Sequence, residues 1–141
     1  MAKSATLIYR TVFICICNPL SSMADTARLV QAELVRLAQG VSGMALACND
    51  RWVCMLEGEM AEVELLIAAV VNSTRPKAMH LLMSDPQAKL LLFPEHHIGW
   101  RFDATLLQMS AFVNDLHRNT RRATLWTMPL PDIATLLEPD S

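Results

Sequence analysis

The sequence lacks the features that mark several large classes of protein. No apolar run reaches the roughly 18 to 20 residues that cross a bilayer, and the longest candidate, residues 7–17, is interrupted by Arg10. No small-residue cleavage site follows the first residues, so we expect no signal peptide. The formal net charge is only -2, which gives no overall attraction to nucleic acid or to an acidic membrane. These absences predict a cytoplasmic protein with no nucleic-acid partner and no membrane insertion.

Disulfide and metal-binding patterns are also missing. The four cysteines lie in apolar stretches and form no Cys-x-x-Cys pair, which indicates reduced thiols. Cys15 and Cys17 could bind a metal together with His96 or His97. However, neighbouring residues of a strand point to opposite faces of the sheet, so we favour no metal site. A hydrophobic content of 52% with 18% charged residues over 141 positions predicts one folded domain with a real core.

The hydrophobic pattern predicts alternating strands and helices. The first strand, Thr6–Cys17, is apolar on both faces, which is typical of the middle of a covered sheet. Asn49 and Asp50 suit the tight turn of a hairpin, and Asp85 with Pro86 indicates a second turn. The remaining predicted elements are helices over 23–39 and 60–72, hairpin strands within 41–58, a strand over 78–83 and a fifth strand within 90–100.

This order predicts an α+β fold of the ferredoxin-like βαββαβ type, with an added fifth strand and C-terminal helices. Asp103 is placed to cap the first C-terminal helix, and Ile133–Leu137 forms a weaker amphipathic segment. We therefore divide the chain into a core over residues 1–100 and a C-terminal helical extension over 101–141, packed on the sheet.

Two stretches carry a resemblance to a known family. Residues 7–15 read LIYRTVFIC, and the hairpin ends in Leu56-Glu57-Gly58 before the second helix. Together with Phe93-Pro94 and Gly99, these residues resemble the BLUF family, the flavin-binding domains that sense blue light. The resemblance covers roughly residues 6–100 and implies a ferredoxin-like sheet with C-terminal helices on the face away from the flavin.

The resemblance also implies that the flavin site is degenerate. The photoactive tyrosine of the family falls on Phe13, the switching glutamine on Cys54 and the flavin-binding asparagine near Arg36, while the family tryptophan and methionine fall on His96 and Ile98. Phenylalanine has no phenolic proton, and a thiol does not replace an amide that donates and accepts. Each unpaired polar atom of a buried flavin costs roughly 1 to 3 kcal/mol. We therefore expect no cofactor, FAD included.

The sequence thus predicts a light-insensitive, BLUF-like module for protein interaction or assembly, with no catalysis of its own. Its partners would be a second copy of the chain and another protein. The alternative is a sensor that binds flavin or another small molecule in the retained pocket. An enzyme of acylphosphatase type is a further alternative, but it needs an anion-binding loop with an arginine and an asparagine, and Arg10 alone does not make a site.

Several single residues admit a functional and a structural interpretation, and we favour the structural one for each. Cys54 is predicted as an inert packed thiol rather than a reactive one, and Glu57 as a turn-stabilising residue rather than a catalytic acid. The basic group at the end of the first C-terminal helix is predicted to be solvated or to contact a partner rather than phosphate. It consists of Arg118, Arg121 and Arg122. The three tryptophans, Trp52, Trp100 and Trp126, are predicted core or interface residues.

Overall fold

The structure is a computed structural model that describes residues 8–17, 40–88, 92, 98–101, 103–120 and 125–138. The predicted helix over 23–39, with Arg36, and the residue His96 lie outside the described residues. The elements are β1 (Ile8–Ile16), β2 (Val41–Cys48), β3 (Arg51–Gly58), α1 (Met60–Thr74), β4 (Ala78–Ala88), β5 (Ile98–Arg101), α2 (Leu106–Thr120) and α3 (Leu130–Leu137). Among the described helices, none is both long enough and apolar enough to span a membrane.

The five strands form one mixed sheet in the order β4-β1-β3-β2-β5. The β1–β3, β1–β4 and β2–β3 pairs are antiparallel, and β2 pairs with β5 in parallel. This is the predicted α+β, ferredoxin-like arrangement with a fifth strand added at one edge. The prediction that β1 lies between two neighbouring strands, buried on both faces, is confirmed.

Both faces of the sheet are covered, and each has its own hydrophobic cluster. We call the side that packs against α1 the α1 face, and the side that packs against α2 and α3 the C-terminal face. The α1-face cluster contains Phe13, Cys15, Cys17, Val41, Ala45, Ala47, Trp52, Cys54, Leu56, Val63, Leu66, Val70 and Ile98. The C-terminal-face cluster includes Val12, Ile14, Val53, Met55, Leu82, Met83, Met109, Val113, Leu116, Trp126, Ile133 and Leu137. Strand residues alternate between the clusters, as the two-residue period of a strand requires.

The prediction of a turn at Asp85 and Pro86 is wrong, because β4 continues to Ala88. The strand pairs only with β1 in the sheet order, so it is an edge strand, and an edge strand can hold a proline that donates no ladder hydrogen bond. The register with β1 shifts between Ile8 and Arg10. This irregularity accommodates the Pro86–Gln87 step without ending the strand.

The start of α2 is fixed by a capping box that the sequence analysis missed. The Gln108 amide donates to Thr105 Oγ1 at 3.1 Å, and the Thr105 amide donates to Gln108 Oε1 at 2.9 Å. This is the reciprocal arrangement of a Thr-x-x-Gln capping box. The predicted cap, Asp103, instead accepts a hydrogen bond from Arg101 Nε at 3.1 Å.

The C-terminal residues are attached to three different strands. Near the start of α2, the Ala104 amide donates to Ala47 O in β2 at 3.0 Å. After α2, the Thr127 amide donates to Leu82 O in β4 at 2.8 Å. At the end of α3, Arg51 Nε in β3 donates to Leu136 O at 2.9 Å. The described C-terminal residues, 103–120 and 125–138, are therefore bonded to both halves of the sheet.

Candidate functional site

Two of the predicted site residues face each other across neighbouring strands. Phe13 of β1 and Cys54 of β3 are direct partners in the antiparallel register. Both side chains belong to the α1-face cluster, with 1% and 6% of their surfaces exposed. Directly opposed side chains of an antiparallel pair are in close contact range. The structure therefore brings the two positions together at the centre of this face.

Ile98 belongs to the same cluster. It lies on β5, where its backbone pairs with Gly43 of β2, and its side chain is buried. Next to it on the sheet, Ala45 is the cross-strand partner of Cys54. Across the strands, the α1 face therefore carries the Phe13 ring, the Cys54 thiol, and the small or aliphatic side chains of Ala45 and Ile98. Arg36 and His96 lie outside the described residues.

The thiols of this face are held in their neutral form. Burial, with a smaller contribution from Cys17, raises the pKa of Cys15 to about 12. Burial also raises the pKa of Cys17 to about 11, with the nearby Asp50 carboxylate as the second cause. Burial raises the pKa of Cys54 well above 9.0. Because the thiolate is the nucleophilic form, the structure supports the inert interpretation of Cys54.

The chemistry of the α1 face suits a flat, largely apolar ring. The buried side chains of this cluster are hydrocarbon, sulfur and one indole, and α1 lies over them with Val63, Leu66 and Val70. Trp52 adds a second aromatic surface on β3, opposite Cys15 in the register. A flavin ring on this face would be held mainly by apolar contact and stacking. In chemical character the described residues match such a ring, and they offer its polar edge few partners.

The sequence analysis missed Cys15 and Trp52 as lining residues of this face. The signal was available, because positions two apart in a strand share a face. Cys15 follows Phe13 by two residues, and Trp52 precedes Cys54 by two.

The C-terminal face carries a buried polar row instead. In the register, Arg10 is the partner of Asp85 in β4 and of Glu57 in β3, and Glu57 is the partner of Ser42 in β2. All four residues are buried. Arg10 Nε donates to Glu57 Oε2 at 2.9 Å, so Glu57 is the anion of a buried ion pair rather than a turn-stabilising residue. Among the residues that the structure describes, the buried Ser42 hydroxyl has no hydrogen-bond partner.

The other candidates remain structural. Arg118 is solvent-exposed, and its Nη1 atom lies 3.8 Å from Asp115 Oδ1 on the same helix. Arg121 and Arg122 lie outside the described residues. Trp126 is buried, and its indole N–H donates to Thr120 Oγ1 at 2.9 Å. Within the described residues, no group of three or more metal-binding side chains is close enough to hold an ion.

Comparison with solved structures identifies the fold. No family model matches the chain, and no curated protein matches it in sequence. A structure titled "BlrP1 BLUF" has a TM-score of 0.59 at 19% identity, covering 95% of this chain and 88% of its own. A bacterial light-regulated adenylyl cyclase has a TM-score of 0.61 at 16% identity, covering 82% of this chain. This chain spans only 35% of the cyclase.

The comparison contradicts the prediction that the chain has no cofactor. Klebsiella pneumoniae BlrP1, solved with FMN and cyclic diGMP, matches 68% of this chain with a TM-score of 0.56 at 20% identity, over 26% of its own length. The prediction counted the polar contacts that the sequence lacks and left out the apolar surface that a ring system buries. The resemblance seen in the sequence is confirmed at the level of architecture: the chain has the fold of the BLUF domains.

Proposed function

We propose that this chain is a sensory module that holds a flavin against its α1 face and does not carry out the tyrosine-to-flavin light response. The observation that carries the proposal is the direct pairing of Phe13 with Cys54 in a cluster of hydrocarbon, sulfur and indole. Such a surface supports binding of the ring. It lacks, at these two positions, the phenol and the amide on which the BLUF light response depends.

Each of the two residues has a defined consequence for a bound ring. A flavin absorbs blue light and accepts electrons. Phe13 can pack against the ring and exclude water, but it has no proton to give. The Cys54 thiol keeps its proton, because burial raises its pKa well above 9.0, and it is only a weak hydrogen-bond donor. Ile98, the position of the family methionine, adds hydrocarbon.

The module is proposed to act through other proteins rather than by catalysis. Residues 1–100 form the ligand-binding core, and residues 101–141 form the extension that contacts a partner. Self-association of the chain is part of the proposal. It is supported by the exposed apolar side chains Met79 and Leu81 at the edge of the sheet. The match to a light-regulated cyclase of which this chain spans 35% supports a role in regulating an effector.

The test is an absorbance titration of the purified protein with FAD and with FMN, followed by blue illumination. We expect a flavin band that co-purifies or appears on reconstitution, and an unchanged spectrum in the light. The double variant Phe13→Tyr/Cys54→Gln should gain a reversible, light-dependent shift of that band. Phe112→Tyr is the matched control, because Phe112 packs on the C-terminal face and its new phenol should leave the spectrum insensitive to light.

Two outcomes would contradict the proposal, each in a different part. A protein that takes up neither flavin after reconstitution refutes the cofactor and favours another small molecule in the same place. A light-dependent shift in the unmodified protein refutes the assignment of Phe13 and Cys54.

A further inference from the structure

A cavity lies where the chain passes from α2 to α3. Its volume is about 550 Å³, and the described residues that line it are His117 and the stretch 126–131. A volume of several hundred Å³ is typical of sites that bind small molecules. The exposed residues Thr127, Pro129 and Pro131 form its mouth. None of the lining residues belongs to the described α1-face cluster, so the cavity is separate from the surface proposed to hold a flavin.

Hydrogen bonds and proline rings hold the walls of the cavity in place. The Trp126 indole N–H donates to Thr120 Oγ1 at 2.9 Å, and the Thr120 hydroxyl donates to His117 O at 3.1 Å. The indole is therefore fixed against the last turn of α2. At Pro129 and Pro131 the side-chain ring restricts the backbone φ angle. Walls that are already ordered lose little conformational entropy when a ligand binds.

The walls consist mainly of flat rings and apolar side chains. The ring centroids of His117 and Trp126 are 5.0 Å apart, and the two planes are tilted by 48°. Two proline rings and the half-buried side chains of Met128 and Leu130 complete the lining. Aromatic rings prefer to meet one another in offset or edge-to-face contact at such distances. The shape of the walls therefore favours a planar aromatic ligand.

The charges of the lining favour a ligand without charge. Among the described residues of the walls, His117 is the only titratable side chain. That set contains no carboxylate to compensate a metal ion or an ammonium group, and no lysine or arginine to compensate a phosphate. Moving an ion into such a place without a partner is costly.

Two side chains of the lining can form hydrogen bonds with a ligand. Thr127 Oγ1 donates its proton to Leu81 O at 2.6 Å, so toward a ligand it can only accept. The neutral imidazole of His117 has one donor nitrogen and one acceptor nitrogen. Both side chains can therefore accept a hydrogen bond from an N–H or O–H group of the ligand.

We propose that this cavity is a binding site for an uncharged, planar aromatic molecule that carries an N–H or O–H group, as indoles and phenols do. The site goes beyond the proposed flavin-binding function and does not depend on it, because the two share no described residue. Flavin uptake and occupation of this cavity can therefore succeed or fail separately.

The test is a titration of the purified protein with indole, followed through the indole N–H signals of its tryptophans in NMR spectra. The Trp126 signal, identified by its loss in Trp126→Phe, should shift as indole is added, while the signal of Trp52 on the α1 face should stay in place. His117→Ala removes one ring of the wall and should raise the dissociation constant at least about threefold. His80→Ala is the matched control, because His80 is also half-buried but lies on β4, outside the lining.

A second variant and two other probes complete the experiment. Pro131→Ser removes an exposed ring of the mouth without opening the core, and it should also weaken indole binding. Tetramethylammonium and inorganic phosphate should leave the Trp126 signal in place. The inference is overturned if millimolar indole does not move the Trp126 signal, or moves only that of Trp52. Equal shifts with tetramethylammonium or phosphate, or equal dissociation constants for His117→Ala and His80→Ala, overturn it as well.

Discussion

The buried ion pair between Arg10 and Glu57 gives a stability prediction with a calculable size. Arg10 Nε and Glu57 Oε2 are 2.9 Å apart, and their side chains are 7% and 0% exposed. Removing one partner of a buried pair costs about 3 to 5 kcal/mol where the other charge is left without compensation. Here the buried Asp85, the other register partner of Arg10, remains. Glu57→Gln keeps the shape and one acceptor oxygen, so we expect the lower end, about 3 kcal/mol. For a chain of this size that lowers the melting temperature by about 6 to 12 °C.

Urea unfolding followed by circular dichroism measures this change directly. Glu64→Gln, at an exposed position of α1, is the control and should stay within about 0.5 kcal/mol of the unmodified protein. The double variant Arg10→Met/Glu57→Leu also takes the guanidinium away from the buried Asp85, so it should remain less stable than the unmodified protein. If Glu57→Gln is as stable as Glu64→Gln, the pair contributes nothing and the reasoning fails.

Three further predictions concern the backbone, the C-terminal helix and the thiols. In Gly43→Ala the new Cβ would collide with the backbone oxygen of Met55. We expect the free energy of unfolding to fall by more than about 4 kcal/mol, and a cooperative, near-native melt would contradict this. Arg51→Met removes the hydrogen bond to the Leu136 carbonyl of α3 and should lower the free energy of unfolding by about 2 kcal/mol. Amide hydrogen exchange should become faster in α3 but not in α1. Equal acceleration in both helices would count against a local role. Burial raises the pKa of Cys15 to about 12 and that of Cys17 to about 11. Because the unfolded thiols ionise first, the stabilising effect of the two buried thiols is full below pH 9 and is lost as the pH rises toward those values. The variant Cys15→Ala/Cys17→Ala should flatten this alkaline decline in the urea midpoint, and an unchanged slope would disprove the cause.

Much of the fold follows from local patterns in the sequence. The apolar character of both faces of β1 predicted its position inside a covered sheet, and the Asn49–Asp50 turn predicted that β2 pairs with β3. The structure confirms both predictions. These signals are strong because side-chain alternation and turn chemistry act over a few residues. The family pattern assigned Phe13 and Cys54 to one site, and the structure pairs them in the register of β1 with β3.

The remaining features depend on contacts that no local pattern specifies. Pro86 is typical of a turn, and only its position on an edge strand makes it compatible with β4. Arg10 and Glu57 are 47 positions apart, so their pairing depends on the register of β1 with β3. The cofactor prediction failed for a related reason. It added up missing side-chain hydrogen bonds, whereas the match that contradicts it is one of overall fold, which single side chains do not determine.

The three hydrogen bonds that attach the described C-terminal residues to the sheet have a consequence for how the molecule opens. Because these residues are hydrogen-bonded to β2, β4 and β3, one edge of the sheet cannot unfold alone without breaking contacts to the other strands. Amide protons in the central strands should therefore exchange only through global opening, at a single free energy rather than a graded series. A movement of α3 would also disturb β3, because the Arg51 guanidinium of β3 is hydrogen-bonded to the Leu136 carbonyl of α3.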